Sequence, residues 1–300
     1  MPAPDVWTLA YPGTSYSWGP WASGVMLAAE PVIGPVEIAT DDAPRPRADG
    51  RAMGVDYRGA ASITFELLVL GASEAEVRQR QTVLALAWRA DAVRSTPGAV
   101  AELSTVVAGR PRVAYGRPRR FAPAAKRPRE GVIPVVADFA MVHDDCWYDP
   151  AVEQEVVSLV PPSSGGLVAP LVTPLTTVPA TAVPGSVRVG GDLPAWPVIT
   201  ITAGAAPLSG PVVQVTGLWA LGLAVTIPAG QSVTVDTRPW RRTVLRDSDG
   251  ASLAGTLSRS GARLAQAAVP PGVYEIALRG QDVSGTATMR FAWQKTYAGL

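Results

Sequence analysis

Two stretches of the chain place an apolar residue at every second position. From Ser62 to Leu70, Ile63, Phe65, Leu67 and Val69 share one face, with Thr64 and Glu66 opposite. From Ile133 onward, Ile133, Val135, Ala137, Phe139 and Met141 do the same, against Val136, Asp138, Ala140 and Val142. A period of two is the mark of a strand with one buried face. Between them the period lengthens to that of a helix, Ser73–Ala90. Val77, Leu84 and Trp88 fall on one stripe, joined by Val83 and Ala87, while Arg78, Gln79 and Arg80 face water. Ser73 is placed to cap this helix, with Glu76 three residues on as in a capping box and Glu74 favourable in the first turn. Shorter alternations predict strands at Val6–Ala10, Val36–Ala39, Ala101–Val107 and Arg112–Tyr115. Residues 41 to 52 read as a charged loop broken by Pro44, Pro46 and Gly50.

The second long strand ends in an acidic corner, His143-Asp144-Asp145-Cys146, followed by Trp147-Tyr148-Asp149-Pro150. This corner is where a first domain, residues 1–150, should close and the chain turn into a second, residues 151–300. The second opens on Val156 to Val187, which carries no charge and contains Pro161, Pro162, Pro170, Pro174, Pro179 and Pro184. Such proline spacing rules out a membrane-spanning helix and predicts an extended, polyproline-like strap. Strands then follow at Ser186–Val189, Val198–Thr202, Val212–Thr216, Ala224–Ile227, Ser232–Asp236, Arg242–Leu245, Val273–Leu278 and Thr286–Trp293, with Asp249-Gly250 a hairpin signal. The fold class is mainly β: a β-rich N-terminal domain with one helix, then a sandwich or jelly roll.

Composition agrees. The chain of 300 residues is 47% apolar, enough for two cores, and its 29 Gly and 29 Pro favour short strands with tight turns. A net charge of +1 argues against a polyanion binder, and a single Cys excludes an intrachain disulfide. The first five residues have neither a basic nor an apolar leader region, so nothing in them suggests secretion.

Catalytic chemistry has little material. No Ser sits in G-x-S-x-G, and no phosphate-binding glycine motif follows a strand. His143, Asp144, Asp145 and Cys146 are the one cluster of ligand-type side chains. Neighbours in extended chain point to opposite faces, so at most two could meet one ion; a polar corner with a buried thiol accounts for them, and no metal or cofactor is expected. The strongest charge feature is the run Arg110, Arg112, Arg117, Arg119, Arg120, Lys126, Arg127 and Arg129, with Tyr115 and Phe121 among it and prolines at 111, 118, 123 and 128. Basic residues with interleaved aromatics are one way to bind single strands of nucleic acid. With the overall charge balanced, the run reads instead as a proline-stiffened hairpin or arm that docks on a neighbouring subunit. Trp196, Trp219, Trp240 and Trp293 are either core or a sugar-stacking platform. A hydrolase would require a carboxylate pair in a cleft.

From the acidic corner onward the chain resembles the distal tail proteins of long-tailed bacteriophages, often called minor tail proteins. The order of features carries the resemblance: a β-rich half with the helix Ser73–Ala90, the corner Asp144-Asp145-Cys146-Trp147-Tyr148-Asp149-Pro150, then Gly165-Gly166-Leu167-Val168-Ala169-Pro170-Leu171. The glycine turn and strand Val187 to Ile201, the hairpin Ile227 to Thr237, the entry Val269-Pro270-Pro271-Gly272-Val273-Tyr274 and the closing strand Thr288 to Trp293 follow in turn. The match covers most of residues 55 to 300. It implies a structural virion protein with no catalytic residues. Its N-terminal domain would build a ring, commonly six-fold, at the end of the tail tube, with a galectin-like sandwich facing outward. Its partners would be further copies of itself, the tail tube protein, tip or baseplate hub proteins and the tape measure protein. The alternative is a carbohydrate-binding module or adhesin that contacts a host-surface glycan. Neither reading involves membrane insertion or sequence-specific nucleic acid.

Overall fold

The computed structural model describes residues 6–19, 23–124, 131–160 and 184–300. Lys126, Arg127, Arg129, Trp21, the motif Gly165–Leu171 and most of the proline-rich segment lie outside the described residues. The chain divides into two compact units: Met1–Pro150 together with Tyr297–Leu300, and Ala151–Thr296.

Unit 1 runs β1 (Trp7–Tyr11), β2 (Thr14–Trp18), β3 (Val25–Leu27), β4 (Val32–Ile33), β5 (Ile38–Ala39), β6 (Ala43–Pro44), β7 (Arg51–Ala52), β8 (Tyr57–Arg58), β9 (Ser62–Leu70), α1 (Glu74–Arg89), α2 (Asp91–Arg94), β10 (Ala101–Val107), β11 (Arg110–Pro123), β12 (Val132–Met141) and the start of β13 (Cys146–Ser158). The two strands with the clearest alternation lie side by side. β9 and β12 are antiparallel with Ile63 opposite Phe139 and Val69 opposite Ile133, and every apolar residue of both alternating faces is buried. β11 joins the other edge of β12, then β10, β1 and β2 follow, while β3 and β4 cover the free edge of β9. The sheet curls, so Trp7 of β1 meets Phe65 of β9 edge-on at 5.0 Å, and Trp18 meets Phe65 at 5.3 Å and Trp88 of α1 at 5.7 Å. The core of unit 1 is therefore largely aromatic.

α1 starts where its cap predicts: the Ser73 hydroxyl accepts the Glu76 amide, and the Glu76 carboxylate reaches back to the Ala72 amide at 2.8 Å. Val77, Leu84, Ala87 and Trp88 form its buried stripe, but Val83 does not join them. It stands exposed with Leu86, because position 83 lies a hundred degrees off the stripe. Ala90 ends the helix in the left-handed region at φ 47°.

Unit 2 contains the rest of β13, then β14 (Gly185–Val189), β15 (Val198–Thr202), β16 (Leu208–Val215), β17 (Trp219–Gly222), β18 (Thr226–Ile227), β19 (Ser232–Asp236), β20 (Thr243–Arg246), β21 (Gly272–Gln281) and β22 (Thr288–Ala298). One sheet runs β22-β15-β19-β20 with β13 beside β22, the other β14-β21-β16-β17 with β18 on β16. Ile199, Ile201, Val233, Val235 and Phe291 from the first interleave with Val187, Val189, Val213, Val215, Ile276 and Leu278 from the second in a single core. This is a β-sandwich with an aliphatic interior. Among the described residues no helix is long and apolar enough to cross a membrane.

The boundary that follows β12 differs from expectation in kind, where others such as those of β11, β16 and β22 shift by several residues. The corner is confined to His143–Asp145; from Cys146 the chain is strand, continuously through Asp149 and Pro150 to Ser158. Acidic and proline residues read as a bend, yet Pro150 and its neighbours Asp149 and Ala151 are not buried, so no core packing opposes a proline there.

Candidate functional site

The acidic corner turns on Asp144, held in the left-handed region at φ 48°. Its carboxylate meets the Arg58 guanidinium at 2.7 Å, its amide donates to the Gly59 carbonyl, and its carbonyl accepts the Ala61 amide. Cys146 places its sulfur 3.5 Å from His143 Nδ1. Burial, reinforced by the carboxylates of Asp144 and Asp145 and only partly offset by Arg58, pushes the thiol up to about 12. A thiol held that high is a poor nucleophile at neutral pH. Among the described residues, no group of three or more His, Cys, Asp or Glu is arranged to hold a metal ion. The corner does something else: it pins the root of the segment that enters at Arg58.

That segment, residues 36–59, is a two-stranded ribbon. β5 pairs β8 with Ile38 opposite Arg58, and β6 pairs β7 with Ala43 opposite Ala52. Gly54 lets the two strands close, since a Cβ there would overlap the Asp41 carbonyl. Nearly every side chain on the ribbon is exposed, including Ile38 at 58%, Tyr57 at 66% and Met53 at 80%. In sequence its tip, residues 41 to 52, reads as a charged loop. The one available signal was the set of large apolar residues, Ile38, Met53, Val55 and Tyr57, scattered among charges that a solvated loop has no use for. An isolated two-stranded ribbon is marginal in water and presents an unpaired edge, so these side chains are suited to covering by another surface.

The described part of the basic run does not project as a free arm; it pairs antiparallel with the next strand, β12. Arg110 to Arg120 lie on β11, an interior strand between β10 and β12. Several of its arginines are engaged within unit 1. Arg112 is buried, with its guanidinium 3.8 Å from the Tyr297 ring centre. Arg117 donates to the Ala99 and Thr96 carbonyls, both at 2.7 Å, clamping the turn before β10. Arg120 makes a paired contact with the Asp138 carboxylate at 2.9 and 3.1 Å. A register shift between Pro118 and Phe121, where the proline has no amide to give, turns Arg119 outward. Arg110 and Arg119 have exposed side chains without a partner among the described residues.

In unit 2 the four tryptophans divide. Trp219 and Trp293 are buried against Phe291, and the Trp219 indole donates to the Ala268 carbonyl at 2.9 Å. Trp196 and Trp240 are half-buried, each with an arginine near its face, Arg242 at 5.9 Å and Arg238 at 5.5 Å. No four-ring platform exists. A carboxylate pair in a cleft does exist, Glu153 and Glu155, with Glu153 ion-paired to Lys295 at 2.8 Å.

No protein-family model matches the chain, and no curated protein sequence matches it. Solved structures do. The chain is similar over 97% of its length to 98% of the SPP1 Dit protein, described as a paradigm of the hub adsorption apparatus in phages that infect Gram-positive hosts, at TM-score 0.60 and 14% identity. It is similar over 96% of its length to 97% of a chain in the phage P2 baseplate in its activated conformation, with Ca and likewise with Sr, at TM-score 0.53 and 12% identity. The chain shares their β-rich fold from end to end.

Proposed function

We propose that this protein is a structural subunit of the distal end of a bacteriophage tail, with unit 1 of several copies, commonly six, closing into a ring between the tail tube and the tip or baseplate. The likeness to the SPP1 Dit protein over 97% of this chain and 98% of that one carries the reading, because both units and their order are shared rather than one common β module. In this role the protein resides in the virion and contacts the tail tube protein, hub proteins of the tip and the tape measure protein. It does so without catalysis.

The ribbon supports self-assembly. Rings need heterologous contacts, a projecting feature on one copy and a different receiving surface on the next. Ile38, Met53, Val55 and Tyr57 supply the first, and the exposed pair Val83 and Leu86, one turn apart on the outer side of α1, suits the second. In this reading the ribbon takes the docking role expected of the basic run, with Arg110 and Arg119 at the margins of the ring. A separate adhesin reading is weakened by the burial of Trp219 and Trp293.

Negative-stain imaging of the purified protein tests the proposal. Rings with a central hole are expected; a protein that stays monomeric at high concentration, and in the presence of tail tube subunits, overturns it.

A further inference from the structure

Two strands of unit 2 change character at the same end of the sandwich. The inward positions of β22 read Met289, Phe291 and Trp293, all buried, and then Lys295, which is half-buried. Those of β13 and of Leu159 just past its end, followed back from the core, read Leu159 and Val157, both buried, and then Glu155 and Glu153. Meanwhile Val152 and Val156 of the same strand stand 61% and 60% exposed. The hydrophobic pattern is inverted: valines face out and glutamates face in.

What these residues line is a cleft of about 460 Å³, closed on its other side by Ser186 and Arg188 of β14. Gly190 keeps it open at close quarters, since a Cβ there would come within 3.1 Å of the Lys295 side chain. Glu153 and Lys295 satisfy one another at 2.8 Å. The Glu155 carboxylate and the Arg188 guanidinium have no partner among the described residues.

From this geometry we infer that the cleft is a binding site for a neutral saccharide. Two carboxylates and two cations line it, so fixed charge nearly cancels, which disfavours an ionic ligand. Unused acceptors on Glu155 and unused donors on Arg188 suit a sugar ring, whose hydroxyls both give and take hydrogen bonds, and the volume is that of an ordinary small-ligand site. The site binds rather than hydrolyses. Glu153 and Glu155 stand side by side on one face of one strand, about 6.6 Å apart along it, rather than on opposite walls flanking a bond. The inference concerns unit 2 alone and stands whether or not unit 1 forms rings.

To test it, the full chain is applied to an array of neutral and anionic oligosaccharides, and each captured glycan is titrated by calorimetry. Neutral glycans should be captured. Glu155→Gln and Arg188→Ala, both at the cleft rim, should each weaken them at least about tenfold while leaving the melting temperature unchanged. Arg110→Ala in unit 1 should leave affinity as it was. Capture of no glycan, capture of anionic glycans alone, or unchanged affinity in Glu155→Gln and Arg188→Ala overturns the inference. Cleavage of a captured glycan overturns the assignment of binding without turnover. Imaging the same preparation reads the ring proposal separately.

Discussion

The two units bury their apolar residues to different degrees of completion. Unit 2 closes an aliphatic sandwich whose exposed large apolar residues, such as Leu218, Val273 and Val283, are dispersed along the chain. Unit 1 encloses an aromatic core around Trp7, Trp18, Phe65 and Trp88, yet leaves a run of them, Ile38, Met53, Val55 and Tyr57, on one ribbon in water. Scattered exposed apolar residues are ordinary, whereas a set gathered on one projecting element marks an interaction surface. Unit 2 covers its large apolar residues by folding; the ring proposed above would cover the ones that unit 1 leaves on the ribbon.

The sharpest way to break that contrast is to make the ribbon polar. Replacing Ile38, Met53, Val55 and Tyr57 together by Ser should abolish rings in negative stain while leaving the monomer's melting temperature nearly unchanged. A large fall in melting temperature would mean that the ribbon belongs to the unit's own core. Next in size is Phe65→Ala, which removes the ring that meets Trp7, Trp18 and Trp88 and should cost about 3–5 kcal/mol in denaturant unfolding. Ile201→Val is the counterpart in the aliphatic core and should cost only about 0.5–1.5 kcal/mol. Ser73→Ala removes the cap of α1 and should cost about 1 kcal/mol. Smallest at neutral pH is the Cys146 thiol. Its value is raised in the folded state, so the stability linked to it is complete below the unfolded value of about 9 and is lost as pH rises from there toward about 12. Native protein at pH 8 should accordingly resist thiol alkylation that the unfolded chain undergoes at once.

Periodicity made some elements legible and hid others for a physical reason. β9, β10, β15 and β19 have the expected bounds because each buries one face and wets the other. The ribbon escaped because its paired strands are two residues long and bury nothing within the unit, so no alternation is imposed on them. β13 escaped because its inward residues past Pro150 are Glu153 and Glu155, and pattern reading turns such a strand inside out. The basic run was visible as charge. That Arg117 and Arg120 are tied to neighbouring segments of unit 1 was not, because their partners, the Ala99 and Thr96 carbonyls and Asp138, are brought close only by the fold. The acidic corner was singled out correctly as an unusual cluster, but its service as the ribbon's anchor depends on Arg58, far away in the sequence.

The last residues described belong with the first. Tyr297 lies under the Arg112 guanidinium, and Leu300 stands beside Val107 and Arg110, so unit 1 is assembled from both early and late parts of the chain. A ribosome delivers β1 to β12 long before Tyr297. The nascent unit 1 therefore waits with Arg112 uncovered while the sandwich is synthesised. Any product that stops short of residue 297 lacks the aromatic ring that covers Arg112, and so carries a bare guanidinium where the full chain has a cation–π contact.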